Sequence, residues 1–257
     1  MTMKIGFIGS GNMAQSLVKA IKKTKIANKI IASDNQREQL KKMKEIGVEI
    51  TKDNKKIMSA NIIFLCVKPQ IIEKVLGEIK NDVQNQIIVS VAAGKTIKKM
   101  EKIIPSAKIV RVMPNILCEI NEMSSTYTPN DNCTREDVEQ VEKILESIGS
   151  TIQVREEEIA TYTIIAGSSP AFFAHIALEF VQEAKRRGLD EEKTKKLLYQ
   201  VLKGTGQYLM QDEELIKKVT SPEGITQAGL DALKNNEINK TIKDVFTRAI
   251  KRSDELN

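Results

Sequence analysis

At 257 residues the chain has room for one or two domains with sizeable cores, and its +6 charge comes from 40 Lys and Arg interleaved with 34 Asp and Glu, as in Lys41-Lys42-Met43-Lys44-Glu45. With no basic tail, four Tyr, six Phe and no Trp, the composition argues against nucleic-acid binding and suits an anionic small molecule. Cys66, Cys118 and Cys133 form no C-x-x-C pair, no charged leader precedes an apolar segment, and no apolar run is read as approaching the roughly 20 residues of a bilayer span, so a cytoplasmic protein without a membrane partner is expected.

A strand over Lys4 to Ile8 enters the turn Gly9-Ser10-Gly11-Asn12-Met13-Ala14, and helical spacing follows from Gln15. Gly9 suits a tight strand-to-helix turn, Gly11 lets backbone N–H groups approach a pyrophosphate, and Ala14 is small enough for close helix–strand packing. A pyrophosphate would sit on the positive end of that helix. The glycine pattern alone is common; the strand before it, the helix after it and a second strand, Lys29 to Ser33, ending at Asp34 give it weight. Asp34 suits an adenosine ribose and NADH, whereas Ser33, Asn35 and Arg37 offer a hydroxyl, an amide and a guanidinium to a 2′-phosphate. An idle Arg37 on a helix face is the plainer reading.

Further strands are read at Ile62 to Val67, Ile87 to Val91, Ile109 to Met113, Ser125 to Thr128 and Thr151 to Val154, with helices such as Gln36 to Ile46 and Arg135 to Ile148 between them. Strands separated by helices imply parallel βαβ units, hence a Rossmann-type doubly wound parallel sheet over residues 1–155 with ligands beyond the strands' carboxyl ends. Over residues 156–257 strand-like alternation stops and helices are read at Ala171 to Arg187, Lys193 to Asp212 and Lys240 to Leu256. The fold class is therefore α/β followed by all-α. Ala171, Phe172, Ala174, Ala177, Leu178 and Val181 give the first of these helices more apolar face than water tolerates, so burial against another helix, such as a second subunit's, is expected.

The strand ends carry Val67-Lys68-Pro69, then Ser90-Val91-Ala92-Ala93-Gly94, then Arg111-Val112-Met113-Pro114-Asn115. Lys68 puts a cation beside the expected cleft, or is an ordinary loop lysine. Ala92, Ala93 and Gly94 let a flat ring approach the backbone, or Gly94 merely ends a strand. Pro114-Asn115 supplies a turn and an amide that donates and accepts, or a local turn only. In the helical half, Gly167-Ser168-Ser169-Pro170-Ala171 reads as a helix start with Ser169 as N-cap and Pro170 at the first helical position. Val219-Thr220-Ser221-Pro222-Glu223-Gly224-Ile225-Thr226 reads as a turn into a helix over Gln227 to Lys234, whose free N–H groups suit a carboxylate, with Thr226 equally readable as a plain N-cap. This ordered set covers essentially the whole chain and resembles the pyrroline-5-carboxylate reductase family.

The resemblance implies reduction of 1-pyrroline-5-carboxylate to L-proline, by hydride transfer from a nicotinamide to the imine carbon. It also implies a C-terminal helical dimerisation domain, so a homodimer at least, with a ring of dimers as a further step. Ser221, Gly224, Ile225 and Thr226 would bind the substrate carboxylate through backbone amides, and Thr226, the catalytic candidate, would contact the ring nitrogen. Ala92 and Ala93 would flank the nicotinamide. The glycine turn from Gly9 to Ala14, with Ser33, Asn35, Arg37, Val67, Lys68, Pro69 and Asn115, would hold the cofactor. Asn54 falls where the family often places a ribose- or phosphate-contacting asparagine, which tips the expectation to NADPH, with NADH as the alternative. The single histidine, His175, lies in an apolar helical run and reads as structural, so no metal site is expected. The chain departs from the family at Ile116-Leu117, at Ala166 and at Glu223, where a glycine is usual and where a positive φ would strain the backbone. Those departures keep two other readings open: a related imine or oxo-acid reductase, and a silent nucleotide-binding paralogue acting through protein partners.

Overall fold

β-branched runs form the strands and amphipathic segments the crossovers in the computed structural model, which describes residues 3–256. β1 (Lys4–Ile8) leads to α1 (Asn12–Thr24), β2 (Lys29–Ser33), α2 (Arg37–Glu45) and β3 (Glu49–Thr51). A 3-10 segment, Asn54–Ser59, precedes β4 (Ile62–Leu65), α3 (Ile72–Ile79), β5 (Ile87–Ser90), α4 (Ile97–Glu101) and β6 (Lys108–Met113). After a 3-10 turn over Ile116–Ile120 come β7 (Met123–Pro129), α5 (Arg135–Glu146) and β8 (Gly149–Gln153).

The eight strands make one sheet in the order β3-β2-β1-β4-β5-β6-β7-β8. Strand order reverses direction between β1 and β4, the switch point of a Rossmann-type sheet. Pairing is parallel from β3 through β6. The all-parallel expectation is corrected at β7, which runs antiparallel to β6 with Val112 opposite Tyr127. Only residues 114–122 join these strands, too short a path for a parallel crossover. β8 returns to parallel pairing with β7 after α5.

One face of the sheet packs Phe7, Phe64, Val89 and Val110 with Leu17 and Ile21 of α1 and Val141 and Leu145 of α5. The other packs Ile8, Ile63, Leu65, Ile88 and Ile109 with Ile57, with Leu76 of α3 and with Met100 of α4. Each fully buried side chain of this size contributes about 1.5–3 kcal/mol, so these layers fix the strand ends on which any site is built.

Helical structure resumes at α6 (Ile159–Tyr162), passes through a π segment over Thr163–Ser168 and continues as α7 (Ser169–Arg186). Ser169 therefore lies within continuous helix, and the N-cap expected there is not formed. α8 (Glu191–Leu209), α9 (Leu215–Val219), α10 (Ile225–Asn235) and α11 (Ile238–Leu256) complete the chain. Two compact units result, residues 1–168 with 250–257, and residues 169–249. In the second, α7 packs on α8, yet Phe173, Phe180, Leu197 and Val201 are all more than half exposed. One stretch among the described residues, Glu156–Arg186, is long and apolar enough to cross a membrane by length and composition, which corrects the expectation that no run approaches that length. Residues 159–178 hold no charged side chain.

Candidate active site

The sheet's register aligns Ser33, Ile8, Leu65, Ser90 and Arg111 across five strands, so the loops that leave β2, β1, β4, β5 and β6 share one edge. Backbone bonds extend the pairing past the strands: Gly9 N–H donates to Ser33 O at 2.9 Å and Cys66 N–H to Ile8 O at 2.8 Å. Gly9 has φ +94, and a Cβ there would stand 2.6 Å from the Cys66 carbonyl oxygen, so conformation and space both require glycine. Gly11 differs. Its φ is −68, and a Cβ would meet nothing within 4 Å. The open space above Gly11 lies at the N-terminus of α1, which has no side-chain cap, while Ala14 is fully buried beneath it. Uncapped N–H groups beside open space are what a pyrophosphate needs.

Asp34 braces this turn. Ser10 N–H donates to Asp34 Oδ2 at 2.7 Å and Gln36 N–H to Oδ1 at 2.8 Å. Gln15 Nε2 donates to Ser10 O at 2.7 Å, tying the turn back to α1. Ser33, expected to face a phosphate, is fully buried; its hydroxyl donates to Asn54 Oδ1 at 2.7 Å, and Asn54 Nδ2 donates to Glu78 at 2.8 Å. Asn35, just past β2, and Arg37, the first residue of α2, are exposed, and their side chains make no hydrogen bond or ion pair among the described residues.

Past β4, Val67 is half-buried, Lys68 is exposed without an ion pair among the described residues, and Pro69 opens a 3-10 turn. Past β5, Ala92 is buried, Ala93 exposed, and Gly94 has φ +75. Lys95 then reaches Glu73 at 2.8 Å, a contact that holds the Glu73 carboxyl below its ordinary range. Past β6, Asn115 is only 3% exposed. Its Oδ1 accepts from Leu117 N–H at 3.2 Å and Ser124 N–H at 3.3 Å, and its Nδ2 donates to Ala166 O at 2.8 Å. Ser33 and Asn115, both expected to contact the cofactor, are buried with their side chains bonded within the chain.

Residues that sequence reasoning did not single out for the site are Arg111 and Glu156. Arg111 is 6% exposed and donates through Nη1 to Glu156 Oε1 at 3.0 Å, where Ile97 N–H also donates at 2.7 Å. Arg111 Nε and the hydroxyl of neighbouring Ser90 are buried without partners among the described residues. An arginine inside the apolar run Lys108–Met113 was the available signal. The thiols have no such role: burial pushes Cys66 well up, and burial with nearby Glu119 pushes Cys118 up to about 11.

In the second unit, Gly224 N–H donates to Ser221 O at 3.0 Å, closing a turn with Pro222 and Glu223 at its centre. Glu223 has φ 57, the conformation that favours glycine, so this departure carries about 1 kcal/mol or more of strain. A Cβ on Gly224 would fall 2.4 Å from Ser221 Oγ. Gly224 is the N-cap of α10 and caps with no side chain. Thr226 is therefore the second helical residue, not an N-cap, and is exposed; Ile225 is 96% exposed. The N–H groups of residues 225–227 face an uncapped helix end, an anion-binding arrangement. His175 is exposed, and among the described residues no group of three or more His, Cys, Asp and Glu side chains could hold a metal.

Residues 4–94 match the family model described as NADP oxidoreductase, coenzyme F420-dependent, and residues 156–256 match pyrroline-5-carboxylate reductase dimerisation. The pyrroline-5-carboxylate reductase of Methanosarcina acetivorans is 32% identical, with 98% of this chain and 97% of that protein aligned. The chain belongs to the pyrroline-5-carboxylate reductase family. A pyrroline-5-carboxylate reductase of Staphylococcus haemolyticus is also 32% identical, over 99% of this chain and 98% of its own. The Plasmodium falciparum pyrroline carboxylate reductase with NADP bound superposes with TM-score 0.89 at 27% identity, covering 99% of this chain and 98% of that one. The Coxiella burnetii pyrroline-5-carboxylate reductase superposes with TM-score 0.92, also at 27%, over 100% and 99% of the two chains. Family membership makes this an oxidoreductase whose helical half carries the family's dimerisation region.

Proposed function

We propose that this chain reduces 1-pyrroline-5-carboxylate to L-proline, the last step of proline synthesis, with residues 1–155 binding the nucleotide and residues 156–257 forming the substrate and dimerisation domain. The observation that carries the reading is kinship over the full length, 98% of this chain against 97% of the Methanosarcina reductase. A reduced nicotinamide, when bound, supplies the hydride for the imine carbon. The residues on hand fit such a group: Gly9 to Ala14 offer the pyrophosphate open space and uncapped N–H groups. Lys68 and Pro69 with Val67, and Ala92 with Ala93, would border the ring end of the cleft. NADPH is the proposed cofactor, NADH the alternative, supported by exposed Asn35 and Arg37, with Asn54 and Ser33 bracing their loop.

The substrate carboxylate would accept from the N–H groups that Gly224, Ile225 and Thr226 present at the start of α10, with Ser221 closing the turn beneath. Thr226, exposed at the second helical position, would hold the ring nitrogen through its hydroxyl. A protonated imine is already electrophilic, so these residues have to orient the ring and exclude water rather than supply a strong acid. A homodimer, open to assembly into a ring of dimers, and a cytoplasmic location complete the proposal. The exposed apolar side chains of the second unit support the first, the free thiols the second.

The test is NADPH oxidation by purified protein with 1-pyrroline-5-carboxylate, beside NADH and beside Thr226→Ala. Turnover is expected with NADPH, and Thr226→Ala should lose about tenfold or more in kcat/KM, the effect of one orienting hydrogen bond (about 1.4 kcal/mol per tenfold). Nucleotide binding without turnover on this imine would overturn the reading.

A further inference from the structure

We propose that Asn115 is a positioning residue for this reaction: its side-chain amide replaces a backbone donor that Pro170 removes, and so fixes the π segment Thr163–Ser168 at the carboxyl edge of the sheet. The inference rests on the reductase reading above. The helical ladder meets a proline, Pro170, just after the π segment. The Ala166 carbonyl lies late in the π segment: its α-register partner would be the N–H of residue 170, which a proline lacks, and its π-register partner the N–H of Ala171. Ala166 is 6% exposed, so its oxygen has little access to water, and a buried carbonyl needs a donor. Asn115 Nδ2 supplies it at 2.8 Å from 51 positions away in sequence.

The same amide is bonded at its other end. Oδ1 accepts from Leu117 N–H in the 3-10 turn and from Ser124 N–H in β7, so one planar group joins three segments. An amide with both ends engaged cannot rotate without breaking a bond, so the place of the Ala166 carbonyl is set by the end of β6. On β6, Arg111 stands in register with Ser90 and Leu65, and Asn115 follows past the strand's end, toward the edge where open α/β sheets take their ligands. Proline's ring crowds the turn before it, and π segments inside α-helices are frequent at functional sites. Gly167, in the segment, is exposed; a Cβ there would make only an ordinary contact, 3.4 Å from Thr163 Cγ2, so packing does not demand glycine at this place.

A double-mutant cycle reads the device. Asn115→Asp keeps an oxygen for Leu117 and Ser124 and turns the donor toward Ala166 into an acceptor. Pro170→Ala returns an N–H at residue 170. Each variant and the double are assayed for KM and kcat with 1-pyrroline-5-carboxylate, for NADPH affinity by fluorescence, and for amide exchange across residues 163–171. Asn115→Asp is expected to lose about tenfold or more in kcat/KM with NADPH affinity within about twofold of wild type, and to exchange faster across 163–171. Pro170→Ala in that background should recover most of both losses. Equal effects of Asn115→Asp with and without Pro170, or NADPH affinity falling in step with kcat/KM, would overturn the proposal. If Asn115→Asp does not fold, Asn115→Ser, which retains a short donor, carries the same cycle. Absence of turnover in the wild type would sink the reductase reading instead, and the exchange measurements would still decide whether Asn115 holds the segment.

Discussion

Asp34 stands where a dinucleotide fold reads the adenosine ribose, yet both its oxygens are engaged by the chain itself. Two charge-assisted bonds, from Ser10 N–H at 2.7 Å and Gln36 N–H at 2.8 Å, aim the carboxylate at the glycine turn and not outward. The residue thereby braces the turn proposed to cradle the pyrophosphate, and such a cradle would serve both nucleotides alike. Asp34→Ala is expected to weaken NADPH and NADH by the same factor, about tenfold, since bonds to a charged group contribute roughly 1.5–3 kcal/mol each and solvent replaces part of that. Arg37→Ala, at the exposed end of the same loop, should weaken NADPH alone. Fluorescence titration of both nucleotides against both variants separates the roles; a shift of Asp34→Ala toward NADPH would show that the carboxylate does read the ribose. Glu223 makes the opposite case among single residues. It takes a positive φ that glycine would take freely, and it puts a negative charge at the helix end proposed for an anionic substrate.

The strand, turn and helix around Gly9 and Gly11 form one element in which two identical substitutions should behave differently. Gly9→Ala meets φ +94 and a carbonyl oxygen 2.6 Å from the new Cβ, so it should destabilise the fold by about 2 kcal/mol or more, a drop in Tm readable by calorimetry. Gly11→Ala meets open space at an ordinary φ and should leave Tm within a degree or two while weakening NADPH binding about tenfold or more. Equal loss of Tm in both would mean Gly11 is structural. This element was legible in the sequence because its glycine signature lies within six consecutive residues, although Ser33, Asp34 and Cys66 hold the turn from a distance. The direction of β7 was not, because it depends on the length of the connection over 114–122 and not on any pattern in Met123–Pro129. Nor were the duties of Asn115 and Arg111, whose partners Ala166 and Glu156 stand 51 and 45 positions away. Side chains that suit a ligand and side chains that brace a loop are the same chemical types, and only burial separates Ser33 from Asn35.

At the scale of the molecule, burial is distributed very unevenly. The first unit has two apolar layers on one sheet, whereas in residues 169–249 only Ala177 and Val181 are buried. Two small side chains cannot offset the entropy of ordering α7 to α10 and most of α11, at about 1–2 kcal/mol per residue for the backbone alone. The missing burial has to come from a partner surface, and the exposed candidates lie along helices: Phe173 and Phe180 on α7, Leu197 and Val201 on α8. The matched dimerisation region, residues 156–256, points to a second copy of this chain as that partner. Stability then depends on concentration, and Tm of the wild type should fall on dilution. Leu197→Glu with Val201→Glu, which places two charges on a face now 70% and 59% exposed in one chain, should leave the first unit folded and give a monomer by sedimentation. NADPH affinity should stay within about twofold, because the glycine turn belongs to a unit with its own core. Turnover with 1-pyrroline-5-carboxylate should fall by about a hundredfold or more, because α10 and its uncapped turn belong to the unit that the partner stabilises. A monomer with wild-type turnover would mean that the helical unit folds by itself despite its bare apolar faces.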